Sequence, residues 1–190
     1  AMFDPSQFTV PKAKPLPICL LLDVSGSMSG EKIDNLNYAV REMLHTFSEE
    51  EKMETEILMS VITFGSEVKL HIPPTKASLV QWNDLAASGN TPMGTAFKMA
   101  KALIEDKEMT PSRAWRPTII LVSDGAPTDS WQSPMEEFIN NDRSAKCDRM
   151  AMAIGNGADE KMLQRFIDNT PNQLLHAENA AKLSELFKYI

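Results

Sequence analysis

Read for its apolar positions, the chain shows four strongly apolar runs separated by stretches of helical or mixed periodicity. The first, Ile18-Cys19-Leu20-Leu21-Leu22, is unbroken and ends on Asp23, which predicts a strand buried on both faces. Residues 1–16, with several prolines and little periodicity, read as an extended lead-in ending where Pro17 precedes that strand. Ile33, Leu36, Val40, Leu44 and Phe47 then recur at three- and four-residue steps, the spacing of an amphipathic helix, whose end falls near Glu49-Glu50-Glu51. Ile57–Phe64 predicts a second buried strand and Gly65-Ser66 a turn. The alternating Val68, Leu70 and Ile72 then predict a half-exposed strand returning antiparallel at a sheet edge, stopped by Pro73-Pro74.

Ser78 to Leu85 supports at most a short helix, with Trp82 as a core anchor. The loop Ser88-Gly89-Asn90-Thr91-Pro92-Met93-Gly94 leads into a helix with Ala96, Phe97, Ala100, Leu103 and Ile104 on its inner face, and Pro92 suits the first turn. A polar stretch, Glu105 to Arg116, precedes the third strong strand, Thr118–Ser123, which stops at Asp124-Gly125. Met135, Phe138 and Ile139 suggest another helix, and Arg149 to Ile154 is the fourth long strand, closed by Gly155-Asn156-Gly157. Met162, Leu163, Phe166 and Ile167 mark a further helix and Gln173–His176 a short strand. A last helix is expected through Ala180, Leu183, Leu186 and Phe187. Strands alternating with crossovers of a dozen residues or more imply an α/β fold with a mostly parallel sheet, one antiparallel edge strand and helices on both faces. One domain over residues 17–190 accounts for the length.

Composition changes this picture little. The chain is 43% hydrophobic and 24% charged, and no apolar run reaches the length of a membrane span. A formal charge of -7 with no Lys/Arg stripe argues against nucleic acid or anionic lipid and favours a cation or a basic partner. Cys19 and Cys147 read as buried thiols, not a disulfide framework. The opening Ala1-Met2-Phe3-Asp4-Pro5 lacks the basic and apolar segments of a secretory signal, so the expected setting is a reducing cytoplasm.

The chemistry gathers at strand ends. Asp23-Val24-Ser25-Gly26-Ser27 places a carboxylate and two hydroxyls two residues apart, so that in an extended or gently turning segment all three face one point. Gly26 lets the backbone bend closely around it. Taken alone, Ser25 and Ser27 also suit turns or a cap on the next helix. Thr91 in the helix-entry loop and Asp124 at the end of the third strong strand reach the same edge of the sheet. The five oxygens Asp23, Ser25, Ser27, Thr91 and Asp124 suit Mg²⁺, with Mn²⁺ or Ca²⁺ as competitors, and suit Zn²⁺ poorly.

Asp23-x-Ser25-x-Ser27, Thr91 in Ser-Gly-Asn-Thr-Pro, and Ser123-Asp124-Gly125 resemble the metal-ion-dependent adhesion site of the von Willebrand factor type A (vWA) domain family. The resemblance covers nearly the whole chain in order. Trp115-Arg116-Pro117 and the run from Asp124 to Trp131 further resemble the bacterial TerY-like or YegL-like proteins associated with tellurium resistance. What the family resemblance implies is a Rossmann-like, doubly wound domain in which Ser25, Ser27 and often Thr91 touch the cation. Asp23 and Asp124 would act directly or through water, and water or an acidic side chain of a partner protein would complete the site. It further implies a bacterial stress or defence setting, a non-enzymatic role, a monomer on its own, and a last helix, Glu178–Ile190, coupled to ligand binding. Neutral hydroxyls leave the ion's charge largely unquenched, which lets an acidic protein attract an acidic ligand locally.

The enzyme rival is an Mg²⁺-dependent phosphohydrolase or phosphotransferase of haloacid-dehalogenase-like type, which resembles Asp-x-Asp-x-Thr. Here Ser25 stands where the second acid would donate a proton. A phosphate-binding loop through Gly26, Gly30 and Lys32 fails on spacing. His45, His71 and His176 lie on separate predicted elements without a nucleophile motif and read as surface or satisfied histidines. Met28 and Met93 flank the proposed metal loops and could form an apolar rim or fold inward beneath them. Trp131 poses the same choice between rim and helix anchor.

Overall fold

The computed structural model describes residues 14–50 and 55–177. Its strands are β1 (Lys14–Asp23), β2 (Thr55–Phe64), β3 (Val68–Lys76), β4 (Thr118–Ser123), β5 (Asp148–Ile154) and β6 (Leu175–Ala177). They form one sheet in the order β3-β2-β1-β4-β5-β6. Every neighbouring pair is parallel except β2 with β3, which is antiparallel. Among the described residues four helices cover it, α1 (Glu31–Glu50), α2 (Met93–Glu105), α3 (Gln132–Asn140) and α4 (Glu160–Phe166). The expected Rossmann-like, doubly wound sheet with one antiparallel edge strand is thus the observed fold.

β1 is the axis because its side chains divide strictly between two cores. Ile18, Leu20 and Leu22 pack with Leu36, Val40, Met43 and Phe47 of α1, while Cys19 and Leu21 face Phe97, Phe138 and Phe166 of α2, α3 and α4. Phe97 and Phe166 stack with ring centroids 5.4 Å apart. Fully burying Leu20, Leu21 and Leu22 contributes about 2 kcal/mol each, so the unbroken apolar run is what the two-sided burial demands. Burial also pushes the Cys19 and Cys147 thiols up to about 12, which keeps both protonated at neutral pH.

Several boundaries differ from expectation. β1 begins at Lys14, so residues 14–16 belong to the strand and not to the lead-in. Pro15 and Pro17 are tolerated because pairing with β4 starts only at Ile18, leaving β2 as the sole ladder neighbour there. Pro73-Pro74 does not stop β3, which runs on to Lys76. The register shifts between Met59 and Val61 and again between Val61 and Ile62 place both prolines at an irregularity of an edge strand, where a missing N–H costs no ladder bond. Ser78 to Leu85 stays within the expected limit of at most a short helix. A single 3₁₀ turn, Ala77–Leu79, gives way to irregular chain that packs Val80, Trp82 and Leu85 against the α1 core. The lead-in before Lys14 and the last helix expected through Phe187 lie outside the described residues. Among the described residues, no helix is long and apolar enough to cross a membrane.

Buried Asn37 on α1 holds the irregular segment. Its Nδ2 donates to the Leu85 carbonyl at 3.0 Å and its Oδ1 accepts from the Leu85 N–H at 2.7 Å. The nearby Arg41–Asp84 pair is solvent-exposed. Asn37→Leu, which strands both Leu85 backbone groups, is expected to lower the unfolding free energy by about 2 kcal/mol in urea denaturation. Arg41→Ala is expected to change it by less than about 0.5 kcal/mol.

Candidate metal centre

Asp23 ends β1 and Asp124 follows β4, its neighbour in the sheet. Between these strands the order of connection reverses, one series running outward through β2 and the other through β5, and such switch points form the ligand crevice of open α/β sheets. The register aligns Leu22 with Val122, so Asp23 and Ser123 follow side by side. Ser123 Oγ donates to Asp23 Oδ2 at 2.7 Å, and the Ser25 N–H donates to Asp23 Oδ1 at 2.9 Å. Ser25 and Ser27 hydroxyls lie 3.1 Å apart, and Ser27 Oγ donates to Asp124 Oδ1 at 2.9 Å. Four of the five sequence-expected residues therefore form one hydrogen-bonded network.

The fifth, Thr91, is brought alongside by backbone. Its loop is laced between the β1 loop and the β2–β3 turn: Ser88 N–H donates to the Val24 carbonyl at 2.7 Å, Ser66 N–H to the Ser88 carbonyl at 2.9 Å, and Gly26 N–H to the Gly89 carbonyl at 2.9 Å. Gly89 is indispensable to this lacing. Its φ is +82°, and a Cβ there would lie 2.4 Å from Ser66 Cα. Thr91 is buried, and its N–H and carbonyl are both tied to Thr128.

Asp23, Ser25, Thr91 and Asp124 are buried, and Ser27 is exposed. Burial raises the Asp23 carboxyl above its ordinary value, with the Asp124 charge adding to that effect and the hydrogen bonds from Ser25 and Ser123 opposing it. Among the described residues no group of three or more His, Cys, Asp or Glu side chains gathers as a metal cluster. A cation here would rely on hydroxyl oxygens together with two carboxylates, a donor set that fits a hard divalent ion. The two carboxylates are costly to bury side by side as anions, and a cation would relieve that cost.

Two residues important to the site escaped the sequence reading. Asp129 accepts from Gly94 N–H at 2.8 Å and from Thr95 N–H at 2.9 Å, capping α2 from across the site. The signal was available, because α2 begins after Pro92, whose side chain can cap nothing, and its first N–H groups needed an outside acceptor. Lys32 forms an ion pair with Asp124 Oδ2 at 2.9 Å. A lysine in the first turn of a helix opposes the helix dipole, an anomaly that marks it as serving something else. Met28 and Met93 are fully buried, so neither forms the rim considered for them, and Trp131 packs partly buried against the α2–α4 core. His45 and His176 are exposed and His71 is half-buried, each with its own partner: Glu49, Glu160 and the Asn83 carbonyl respectively.

The sequence profile of the von Willebrand factor type A domain matches residues 18–126, more than half of the chain. The chain belongs to that family, whose domains typically mediate protein–protein interaction and adhesion and are generally not enzymes. Among solved structures it is similar to a von Willebrand factor type A protein from Catenulispora acidiphila, with a TM-score of 0.73 at 18% identity over 93% of this chain and 42% of that one. Proximal thread matrix protein 1 from the mussel byssus, described with a zinc-occupied MIDAS motif, gives 0.68 at 17% identity over 94% and 47%. The pilus adhesin SpaC from Lactobacillus rhamnosus GG, in its open conformation, gives 0.71 at 16% over 93% and 29%. The chain spans less than half the length of each of these structures, whose likeness establishes the fold. Comparison with curated protein sequences returns no match.

An acid whose folded pKa is raised holds its proton more tightly folded than unfolded. Its cost to stability therefore sets in as pH climbs past the unfolded value, near 3.9, and is complete above the folded value. In metal-free buffer at pH 7, Asp23→Asn is expected to melt above wild type, the gap closing as the pH is lowered toward 4, as followed by calorimetry. Asp129→Ala is expected to cost about 1 kcal/mol through lost capping of α2, measured by thermal denaturation.

Proposed function

We propose that this domain is a divalent-cation-dependent protein–protein interaction module. Asp23, Ser25, Ser27, Thr91 and Asp124 would hold Mg²⁺, with Mn²⁺ or Ca²⁺ as alternatives, and an acidic side chain of a partner protein would complete the site. The observation that carries this reading is the continuous network from Asp23 through Ser25 and Ser27 to Asp124, spanning the ends of two adjacent strands. A bound divalent ion would supply an electrophilic centre for a carboxylate. The chain's own contribution is to orient the hydroxyls by backbone turns and to keep both carboxylates out of bulk water. The zinc-occupied motif of the mussel protein, which shares this fold, supports the cation reading.

Against phosphoryl transfer, position 25 offers a hydroxyl bonded to another hydroxyl, which at neutral pH makes a poor general acid. From the sequence resemblance we extend the proposal to a cytoplasmic, bacterial stress or tellurium-resistance module of TerY-like type. The adhesin and byssal relatives show how widely this fold is deployed, so that setting rests on the motifs around Trp115 and Trp131 alone.

Calorimetric titration with Mg²⁺ and Mn²⁺ is expected to show one site in wild type, with binding lost in Asp23→Ala and weakened at least about ten-fold in Ser25→Ala. Unaltered binding in both variants sinks the assignment. In parallel, no metal-dependent turnover of an aryl phosphate is expected, and turnover abolished by Asp23→Asn would favour the enzyme instead.

A further inference from the structure

The pair of carboxylates at the switch point already has a cation beside it, and that cation belongs to the chain. Lys32 Nζ sits 2.9 Å from Asp124 Oδ2, with the Asp124 side chain fully buried and that of Lys32 38% exposed. The other carboxylate oxygens face neutral donors: Asp124 Oδ1 accepts from Ser27, and the Asp23 oxygens accept from Ser25 and Ser123. Among the described residues, Lys32 is the one cation paired with either carboxylate.

We infer that the Lys32 ammonium is a tethered competitor of the divalent cation, holding the site assembled without metal and weakening the metal's grip. This rests on the reading of Asp23, Ser25, Ser27, Thr91 and Asp124 as a cation socket. Lys32 stands in the first turn of α1, between Glu31 and Ile33, where the helix dipole disfavours a positive charge. Its pairing with a residue 92 positions away offsets that penalty and draws the start of α1 against the β4 loop. An ion arriving at Asp124 meets either a lysine that must swing away or a like charge close by, in a pocket where burial weakens screening. The same charge has a second effect. With the ammonium retained nearby, less of the ion's charge is neutralised by the protein, and more remains to attract a partner's carboxylate.

The test uses the whole chain and Mn²⁺ alone as probe. Lys32→Met and Lys32→Gln remove the charge while keeping much of the stem, and Lys32→Arg keeps the charge. In calorimetric titration both neutral variants are expected to bind Mn²⁺ about ten-fold more tightly than wild type, with Lys32→Arg staying close to wild type. Without metal, the neutral variants are expected to melt below wild type, the deficit closing as Mn²⁺ saturates them. Equal or weaker Mn²⁺ binding in both neutral variants overturns the competitor role and leaves the cation site standing. Absence of Mn²⁺ binding in wild type and variants alike removes the socket itself, and the competitor with it.

Discussion

The structure depends on a conflict of charge. Two carboxylates are delivered to the same buried edge because β1 and β4 are hydrogen-bonded neighbours in register, β1 ending on Asp23 and β4 followed at once by Asp124. Backbone pairing fixes their proximity, so they cannot separate to relieve repulsion. Everything around them acts to compensate: Ser25 and Ser123 donate to Asp23, and Ser27 and Lys32 donate to Asp124. A buried anion pair with so many donors turned toward it is a chemical preference for positive charge written into the sheet.

The same edge is held by main chain more than by side chains. The Ser88–Thr91 loop passes so close to the β2–β3 turn and the β1 loop that glycine at 65 and 89 is a steric condition of the fold. Asp129 and Thr128 then bind the loop after β4 to the start of α2. Four loops that are distant in sequence are thus tied into a single rim. The hydroxyls at Ser25 and Ser27 inherit their direction from that rim, which is how a chain without a histidine or thiolate at this edge can still assemble a directional donor set.

Much of this was legible in the sequence. The unbroken apolar runs of β1 and β4 announced two-sided burial, and an acid at the end of each run announced the crevice. What periodicity could not show was how the chain crosses itself. Asp129 is a turn residue until one sees that α2 lacks a cap, and Lys32 is an ordinary helix-surface lysine until β4 is placed beside α1. The irregular segment before Leu85 was legible only as at most a short helix, for a related reason. Its apolar residues are spaced loosely enough for a helix, but Asn37 satisfies its backbone from outside and removes the need for helical hydrogen bonds. The prolines of β1 and β3 read as breakers because a single sequence does not reveal which side of a strand lacks a neighbour.

The proline pair on β3 carries a consequence for how these molecules can meet. Among the described residues the outer side of that strand is one of the two margins of the sheet, and such margins are where strands of separate molecules join and spread. Two register shifts and two missing donors interrupt the row of hydrogen-bonding groups there, while Lys69 and Lys76 add charge along it. A second sheet offered to this margin finds a broken ladder. Association through continuous β-structure is discouraged on that flank, and a concentrated solution of the domain is protected on that side from stacking into fibres.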